Sequence, residues 1–353
     1  MRLSYSFPAH NLFVRFIHQA VAHSRKLAIG TFASVGQELL GIPSANEEDV
    51  LFGTTVVLSS LDGNRLAVGA PMHDYSTAEA NELTVNDNGG AIFLYEYDGL
   101  VWKQIWLFAG DAVEGLGERF AWSADGSRNA VSRESSTPDA VEVYDIGAGD
   151  EATSTQIGET VSCGANGDTV TLSADGTRLA VSCENYRDPV LGANTGRVEI
   201  FDWTGTTWSS TGTIDGSGGG DFFGWSTAFS NDGNRIAISA PNHDSGGATN
   251  RGQVRVFDFV SEQWLQVGAD ILGDNAADQQ GFSMDLSGDG LSLVASCPGG
   301  NNGEVALTGL VKVFIESGGI WSQVGGASAG VDAQESVGRY GSIVDTGSEA
   351  APC

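Results

Sequence analysis

An internal repeat constrains the fold of this chain more than any other feature of its sequence. The pattern L-S-x-D-G-x-R-L-A-V recurs with its Asp-Gly pair in a constant place. The pairs are Asp62-Gly63, Asp125-Gly126, Asp175-Gly176, Asp232-Gly233 and Asp289-Gly290, and a decayed copy ends at Gly347. From Gly176 onward, the turn glycines at 233, 290 and 347 follow at steps of 57 residues. Such a period predicts that one supersecondary unit is built several times.

Each unit predicts four β-strands. Apolar residues alternate on both sides of the Asp-Gly pair, which predicts a β-hairpin with a type I′ turn. A third apolar run follows, as in Val198 to Trp203, and a tryptophan then marks a short fourth strand. These tryptophans are Trp102, Trp208, Trp264 and Trp321. Because a four-stranded unit cannot bury both faces alone, the units must stack, and radial stacking suits four strands better than a linear solenoid. We therefore predict an all-β fold, a β-propeller of four-stranded antiparallel blades.

The blade count depends on both ends of the chain. Residues 31–353 are assigned to the propeller, and the basic N-terminal segment 1–30 is a candidate for an extra outer strand. The predicted blades span about 53–116, 117–167, 168–223, 224–280 and 281–337, and 338–353 would form half of another. Val35-Gly36 matches Val267-Gly268, so N-terminal strands can complete that half blade. Six blades are predicted, with an incomplete seven-bladed propeller as the alternative.

The charge of the chain restricts its partners. Seventeen basic against 45 acidic residues give a formal net charge of −28, which repels phosphate backbones and makes nucleic acid an unsuitable partner. No apolar run approaches the roughly 18 residues of a membrane span, so no transmembrane segment is predicted. Arg15 and His18 interrupt the apolar stretch from Leu12 to Val21, and no clear signal peptide is recognised.

Two segments carry a family resemblance. Phe52-Gly53 followed by Gly69-Ala70-Pro71, and Phe223-Gly224 followed by Ser239-Ala240-Pro241, resemble the FG-GAP repeat of integrin α-subunit propellers. The resemblance covers roughly residues 35 to 353. It implies a non-catalytic module for protein or glycan recognition or cell adhesion, acting through one propeller face, at the cell surface or outside the cell. The chain would be a monomer or part of a larger protein. The alternative is a propeller hydrolase that cleaves glycosides with carboxylates from separate blades.

The Asp-Gly hairpins depart from the calcium loops of that family. Each has one carboxylate, far fewer oxygens than the six to eight that calcium prefers, and in four of the five an arginine stands two residues after the glycine. We therefore predict no cofactor at the hairpins and leave calcium open elsewhere. The aspartate is expected to cap the turn backbone, and the nearby arginine to offset its charge.

The candidate binding residues lie in loops that the topology brings to one face, opposite the Asp-Gly hairpins. They comprise two His-Asp pairs that follow matching prolines and a set of acidic residues between blades. These residues are His73, Asp74, Asp221, His243, Asp244, Asp274, Asp278 and Glu335. A structural interpretation competes with ligand or cation capture, since such carboxylates also accept hydrogen bonds from the backbone of their own turns.

The four cysteines constrain the redox compartment weakly. Cys183 and Cys297 occupy the place of Ala70 and Ala240, which predicts small buried residues. Cys163 lies in the crossover that enters the blade whose second strand ends at Cys183. A Cys163–Cys183 disulfide is therefore a candidate, with two free thiols as the alternative.

Overall fold

The computed structural model describes residues 39, 51–59, 63–73, 75–79, 82–86, 89–110, 115–133, 140–147, 153–165, 169–301, 303 and 307–329. The predictions for residues 1–30, for the completing strands of the sixth blade, and for Asp62, Asp74 and Glu335 lie outside these ranges. No helix in the described ranges has the length and apolar character needed to cross a membrane.

The described residues form five antiparallel sheets, which we call blades I to V. Blade I contains β1 (Val56–Leu58), β2 (Arg65–Ala70), β5 (Ala91–Tyr97) and β6 (Trp102–Ala109), with a separate hairpin of β3 (Tyr75–Glu79) and β4 (Glu82–Asn86). Blade II contains β7 (Phe120–Trp122), β8 (Arg128–Arg133), β9 (Ala140–Ile146) and β10 (Ser154–Gln156). Blade III contains β11 (Thr169–Leu172), β12 (Arg178–Cys183), β13 (Arg197–Trp203) and β14 (Trp208–Asp215). Blade IV contains β15 (Thr227–Phe229), β16 (Arg235–Ala240), β17 (Gln253–Val260) and β18 (Gln263–Gln266), with the short β19 (Ile271–Leu272) paired to β17. Blade V contains β20 (Met284–Leu286), β21 (Ser292–Cys297), β22 (Leu310–Ser317) and β23 (Ile320–Ala329).

The blades stack radially, with their first strands side by side. Strand β11 contacts both β7 and β15, and β15 contacts β20. The hydroxyls of Thr171 and Thr227 hydrogen-bond across one such junction at 2.6 Å. The core lies between neighbouring blades: Val198 and Ile200 of blade III pack in one cluster with Ile236 and further residues of blade IV. The predicted all-β propeller of four-stranded antiparallel blades is therefore confirmed, while six blades stays a prediction.

Several sequence-based expectations differ from the structure in detail. The hairpin turn of blade III is not type I′, because positive φ falls on Gly176 (68°) and not on Asp175. The amide of Gly176 donates to the Ser173 carbonyl. The turn therefore runs from Ser173 to Gly176, and the glycine is its last residue. The fourth strands are not uniformly short: β6 and β14 have 8 residues and β23 has 10. The segment between β2 and β5 contains a further hairpin of β3 and β4.

Arg178 does not pair with Asp175 of its own turn, although the sequence suggested that it would. Arg178 instead makes a bidentate contact with Asp202 on β13, at 2.6 and 2.8 Å. Its third nitrogen donates to the Gly233 carbonyl in the hairpin of blade IV at 2.8 Å. Arg65, Arg128 and Arg235 reach the next hairpin in the same way, through the carbonyls of Gly126, Gly176 and Gly290. We call these four residues the interblade arginines, since each one ties its blade to the next.

The turn aspartates are held by hydrogen bonds. Burial alone would raise the pKa of Asp175, but donors outweigh it and the pKa lies below its ordinary value. The donors are the Ser173 hydroxyl at 2.7 Å and the Thr177 amide at 2.9 Å, together with the Thr177 hydroxyl. Asp125 and Asp232 show the same balance, and the pKa of Asp289 is lowered chiefly by Ser287.

These contacts predict an acid-sensitive contribution to stability. The unfolded aspartate has a pKa of about 3.9, and the folded value is lower, so the stabilisation is present above that pH and lost as pH falls through the folded pKa. The Asp175→Asn variant is expected to lose about 1 kcal/mol at neutral pH. That loss should shrink as pH falls below about 4, where the unfolded Asp175 side chain takes up a proton, and vanish below the lower pKa of the folded side chain. Urea unfolding across this range measures the difference, and a loss independent of pH would contradict it.

Cys163 and Cys183 are joined as a disulfide, with their Cα atoms 6.1 Å apart. The bridge attaches the crossover between blades II and III to the end of β12. Both half-cystines are buried in the cluster between these blades, together with Val161 and Val181.

Cys297 is a buried free thiol that donates to Gln280, and burial raises its pKa to about 12. Its thiolate is therefore strongly disfavoured.

Candidate binding face

One end of the propeller collects the crossovers between blades and the loops between second and third strands. We call this end the crossover face. Isolated parallel bridges join the loops of blades I, III and IV to the crossovers that follow these blades. They pair Gly90 with Leu116, Gly196 with Phe223, and Gly252 with Gln280. At these three places, the loop and the crossover therefore form one continuous surface.

The two histidines occupy equivalent places but have different surroundings. The carbonyls of His73 and His243 accept hydrogen bonds from Gly90 and Gly252, respectively, at matching points of blades I and IV. The His73 ring is buried and meets Phe93 edge to face, with centroids 5.3 Å apart. His243 Nδ1 lies 2.7 Å from Asp221 Oδ2, and both side chains are largely buried. The structure thus brings His243 together with Asp221.

Asp244, the sequence neighbour of His243, has a separate contact. Its Oδ1 accepts the Asn250 amide at 2.7 Å and closes the loop between β16 and β17. Asp188 caps the corresponding loop of blade III through the amides of Val190 and Leu191. These aspartates shape their loops, in keeping with the turn-forming role of this residue type.

Asp274 and Asp278 bracket the crossover between blades IV and V. Asp278 is buried, and its Oδ2 accepts the amides of Asp274 and Asn275, each at 2.8 Å. Asp274 Oδ2 forms an ion pair with Lys312 Nζ at 2.7 Å, and the Lys312 side chain is only 2% exposed. One carboxylate therefore organises the turn, and the other neutralises a buried ammonium from blade V. Within the described ranges, no three His, Cys, Asp or Glu side chains are placed to share a metal ion.

An aromatic group at the inner edge of this face was missed by the sequence reasoning. Phe222, Trp225 and Phe282 are all partly exposed, and we call them the inner aromatic cluster. The Trp225 ring lies 5.3 Å from that of Phe282 and 6.5 Å from that of Phe222. Its indole N–H donates to the Phe282 carbonyl at 3.0 Å. The tryptophan is thereby held in place with part of its surface exposed.

The position of the cluster follows from the repeat. Trp225 and Phe282 come directly after the blade-start glycines Gly224 and Gly281, just before the innermost strands β15 and β20. The Trp225 carbonyl lies within hydrogen-bond distance (3.3 Å) of the Thr169 hydroxyl at the start of β11. The cluster therefore lies near the propeller axis at the crossover face. Two aromatic residues in matching register after Gly224 and Gly281 were the signal in the sequence.

Phe222 has a left-handed backbone, with φ of 57°. The equivalent residues of other blades share this conformation, at Leu51 (51°), Gln279 (55°) and Gly115 (59°). The crossover turn itself therefore requires positive φ, which is unfavourable for residues other than glycine. Blade IV places a phenylalanine there, next to Trp225.

Beside the cluster lies a pair of side-chain amides. Gln279 Nε2 donates to Asn242 Oδ1 at 3.3 Å, joining the blade IV loop to the next crossover. The amide of Phe282 donates to the Gln279 carbonyl, which fixes this pair next to the aromatic rings. A cleft of about 280 Å³ lies elsewhere, between the outer strands of blades IV and V, and is lined in part by Ile271 and Trp321.

Comparison with known proteins gives distant structural likenesses. No protein-family model and no curated protein sequence matches the chain. Hydrazine synthase from Kuenenia stuttgartiensis aligns with 80% of this chain and 68% of its own, at 15% identity and a TM-score of 0.49. A candidate 6-phosphogluconolactonase from Bacteroides uniformis aligns with 79% of this chain and 86% of its own, at 16% identity and a TM-score of 0.48. TolB from Acinetobacter baumannii aligns with 74% of this chain and 52% of its own, at 16% identity and a TM-score of 0.41. The functions of these proteins do not carry over to this chain.

Proposed function

We propose that this protein is a non-catalytic binding module that recognises a protein or glycan through its crossover face. The observation that carries the proposal is the inner aromatic cluster. Partly exposed aromatic side chains held on a rigid scaffold offer much contact area at a small cost in conformational entropy. The FG-GAP-like motifs at Phe52-Gly53 and Phe223-Gly224 support an adhesion-type role, and the disulfide supports an oxidising, extracellular setting.

The arrangement of the carboxylates favours binding over glycoside hydrolysis. A glycosidase needs two carboxyl groups that face one substrate site. Asp278 is occupied by backbone amides of its own turn, and Asp221 by His243. Both side chains are largely buried, in crossovers that belong to different blade junctions. We therefore place function in recognition rather than bond cleavage.

A binding screen with two matched variants tests this proposal. The wild-type protein is applied to an array of neutral and charged glycans and to a panel of peptides, together with the Trp225→Leu variant. We expect the wild type to retain at least one ligand class that the variant loses. The control is Trp102→Leu, the same substitution on β6 at the outer edge of blade I. Equal binding by all three proteins would contradict a role for the crossover face.

A further inference from the structure

We infer that the inner aromatic cluster binds a cationic side chain, preferably the guanidinium of an arginine, from a basic protein partner. The inference rests on the proposed function and names its ligand class. The rings of Trp225 and Phe282 would receive the cation, and Phe222 would border it. Cations are attracted to the faces of aromatic rings, and tryptophan is the strongest acceptor among them.

The charge of the protein favours a cation over other ligands. A formal charge of −28 attracts basic partners over the whole surface and raises their rate of encounter. Exposed carboxylates of Glu118 and Asp244 lie in a crossover and a loop of the same face. Glu118 follows Gly117 as Trp225 follows Gly224, so it has the equivalent position at the inner edge of blade II. An acidic glycan or a phosphate would be repelled by the same negative charge.

The protein already uses this contact internally, next to the cluster. The Arg255 guanidinium lies 4.2 Å from the ring centroid of Phe223, the residue that follows Phe222. Arg197 stacks over Tyr186 at 4.0 Å, and Arg178 over Phe259 at 4.4 Å. Among the described residues, no such contact is found for Phe222, Trp225 or Phe282. These rings are therefore available to a cation from outside.

Arginine suits the site better than lysine. Its planar guanidinium stacks on aromatic faces and is more weakly hydrated than an ammonium. The Trp225 indole N–H is engaged with the Phe282 carbonyl, so the ring surface rather than that hydrogen bond is available to a ligand. The Gln279–Asn242 amide pair adds carbonyl oxygens nearby that can accept guanidinium N–H groups.

Peptide binding at physiological ionic strength tests the inference. Fluorescence anisotropy is measured with labelled peptides of equal length that alternate Gly with Arg, Lys or Gln. We expect the Arg peptide to bind more tightly than the Lys peptide, and the Gln peptide not to bind. Trp225→Leu should weaken the Arg peptide by about three- to thirty-fold, the range of a cation–π contact. Trp102→Leu should leave that affinity within about twofold.

The outcomes separate this inference from the broader proposal. If the Arg peptide binds wild type and Trp225→Leu with equal affinity, its binding is explained by the overall negative charge of the protein. That result would overturn the inference. Neutral glycans that bind through Trp225, in the absence of Arg-peptide binding, would overturn it while sustaining the proposed binding function. If no ligand class depends on Trp225, both fail. Should thermal unfolding show that Trp225→Leu is misfolded, Phe282→Leu replaces it with the same expected loss.

Discussion

The Arg178→Ala variant is expected to lose about 3 kcal/mol of unfolding free energy. Arg178 is 9% exposed and joins blades III and IV through the Asp202 carboxylate and the Gly233 carbonyl. Its guanidinium also lies over the rings of Phe259 and Trp264, at 4.4 and 5.3 Å. Removing it leaves a carboxylate without its partner and opens a gap between the blades. The 35% exposure of the Asp202 side chain keeps the loss below that of a fully buried pair.

Arg197→Ala provides the matched control for this prediction. Arg197 makes a similar bidentate contact with Asp215, but within blade III and with a carboxylate that is 41% exposed. We expect a loss of about 1 kcal/mol or less, as for other solvent-exposed ion pairs. Urea unfolding of both variants, followed by tryptophan fluorescence and circular dichroism, gives the comparison. Equal losses would mean that the interblade contact adds nothing to an ordinary ion pair.

Loss of the Cys163–Cys183 disulfide is expected to destabilise the protein by about 3 kcal/mol. The bridge closes a segment with a sequence separation of 20 residues. It therefore restricts the unfolded chain, and it also holds the crossover of blade III against β12. The Cys163→Ala/Cys183→Ala double variant, or the reduced wild type, should show this loss in urea unfolding.

Cys297→Ala controls for the removal of a buried sulfur without a bridge. Cys297 ends β21 as Cys183 ends β12, and it is equally buried. Its replacement should cost about 1 kcal/mol, and reductant should leave that difference unchanged. Mass spectrometry after thiol alkylation, without reductant, should find Cys163 and Cys183 unmodified. Alkylation of both cysteines in the unfolded protein would show that they are not disulfide-bonded. The argument for an oxidising compartment would then fail.

The amino-acid sequence determined the type of fold and the identity of its units. The Asp-Gly pairs, the alternation around them and the period of 57 residues sufficed to predict four antiparallel strands per blade and radial stacking. This was possible because strand alternation and turn chemistry are local, and each copy repeats the same local signal. The equivalence of His73 with His243, seen in their matching carbonyl contacts, was also readable from register alone.

The tertiary structure alone decided which side chains meet between blades. Arg178 finds Asp202, 24 positions along the chain, and the carbonyl of Gly233 in another blade, whereas its sequence suggested the nearby Asp175. Phe222, Trp225 and Phe282 form one cluster because blades IV and V lie side by side at the axis. Contacts of this kind depend on how far each sheet is rotated about the axis relative to its neighbour. The local sequence pattern does not predict that rotation, because it is set by packing of the buried faces of neighbouring sheets.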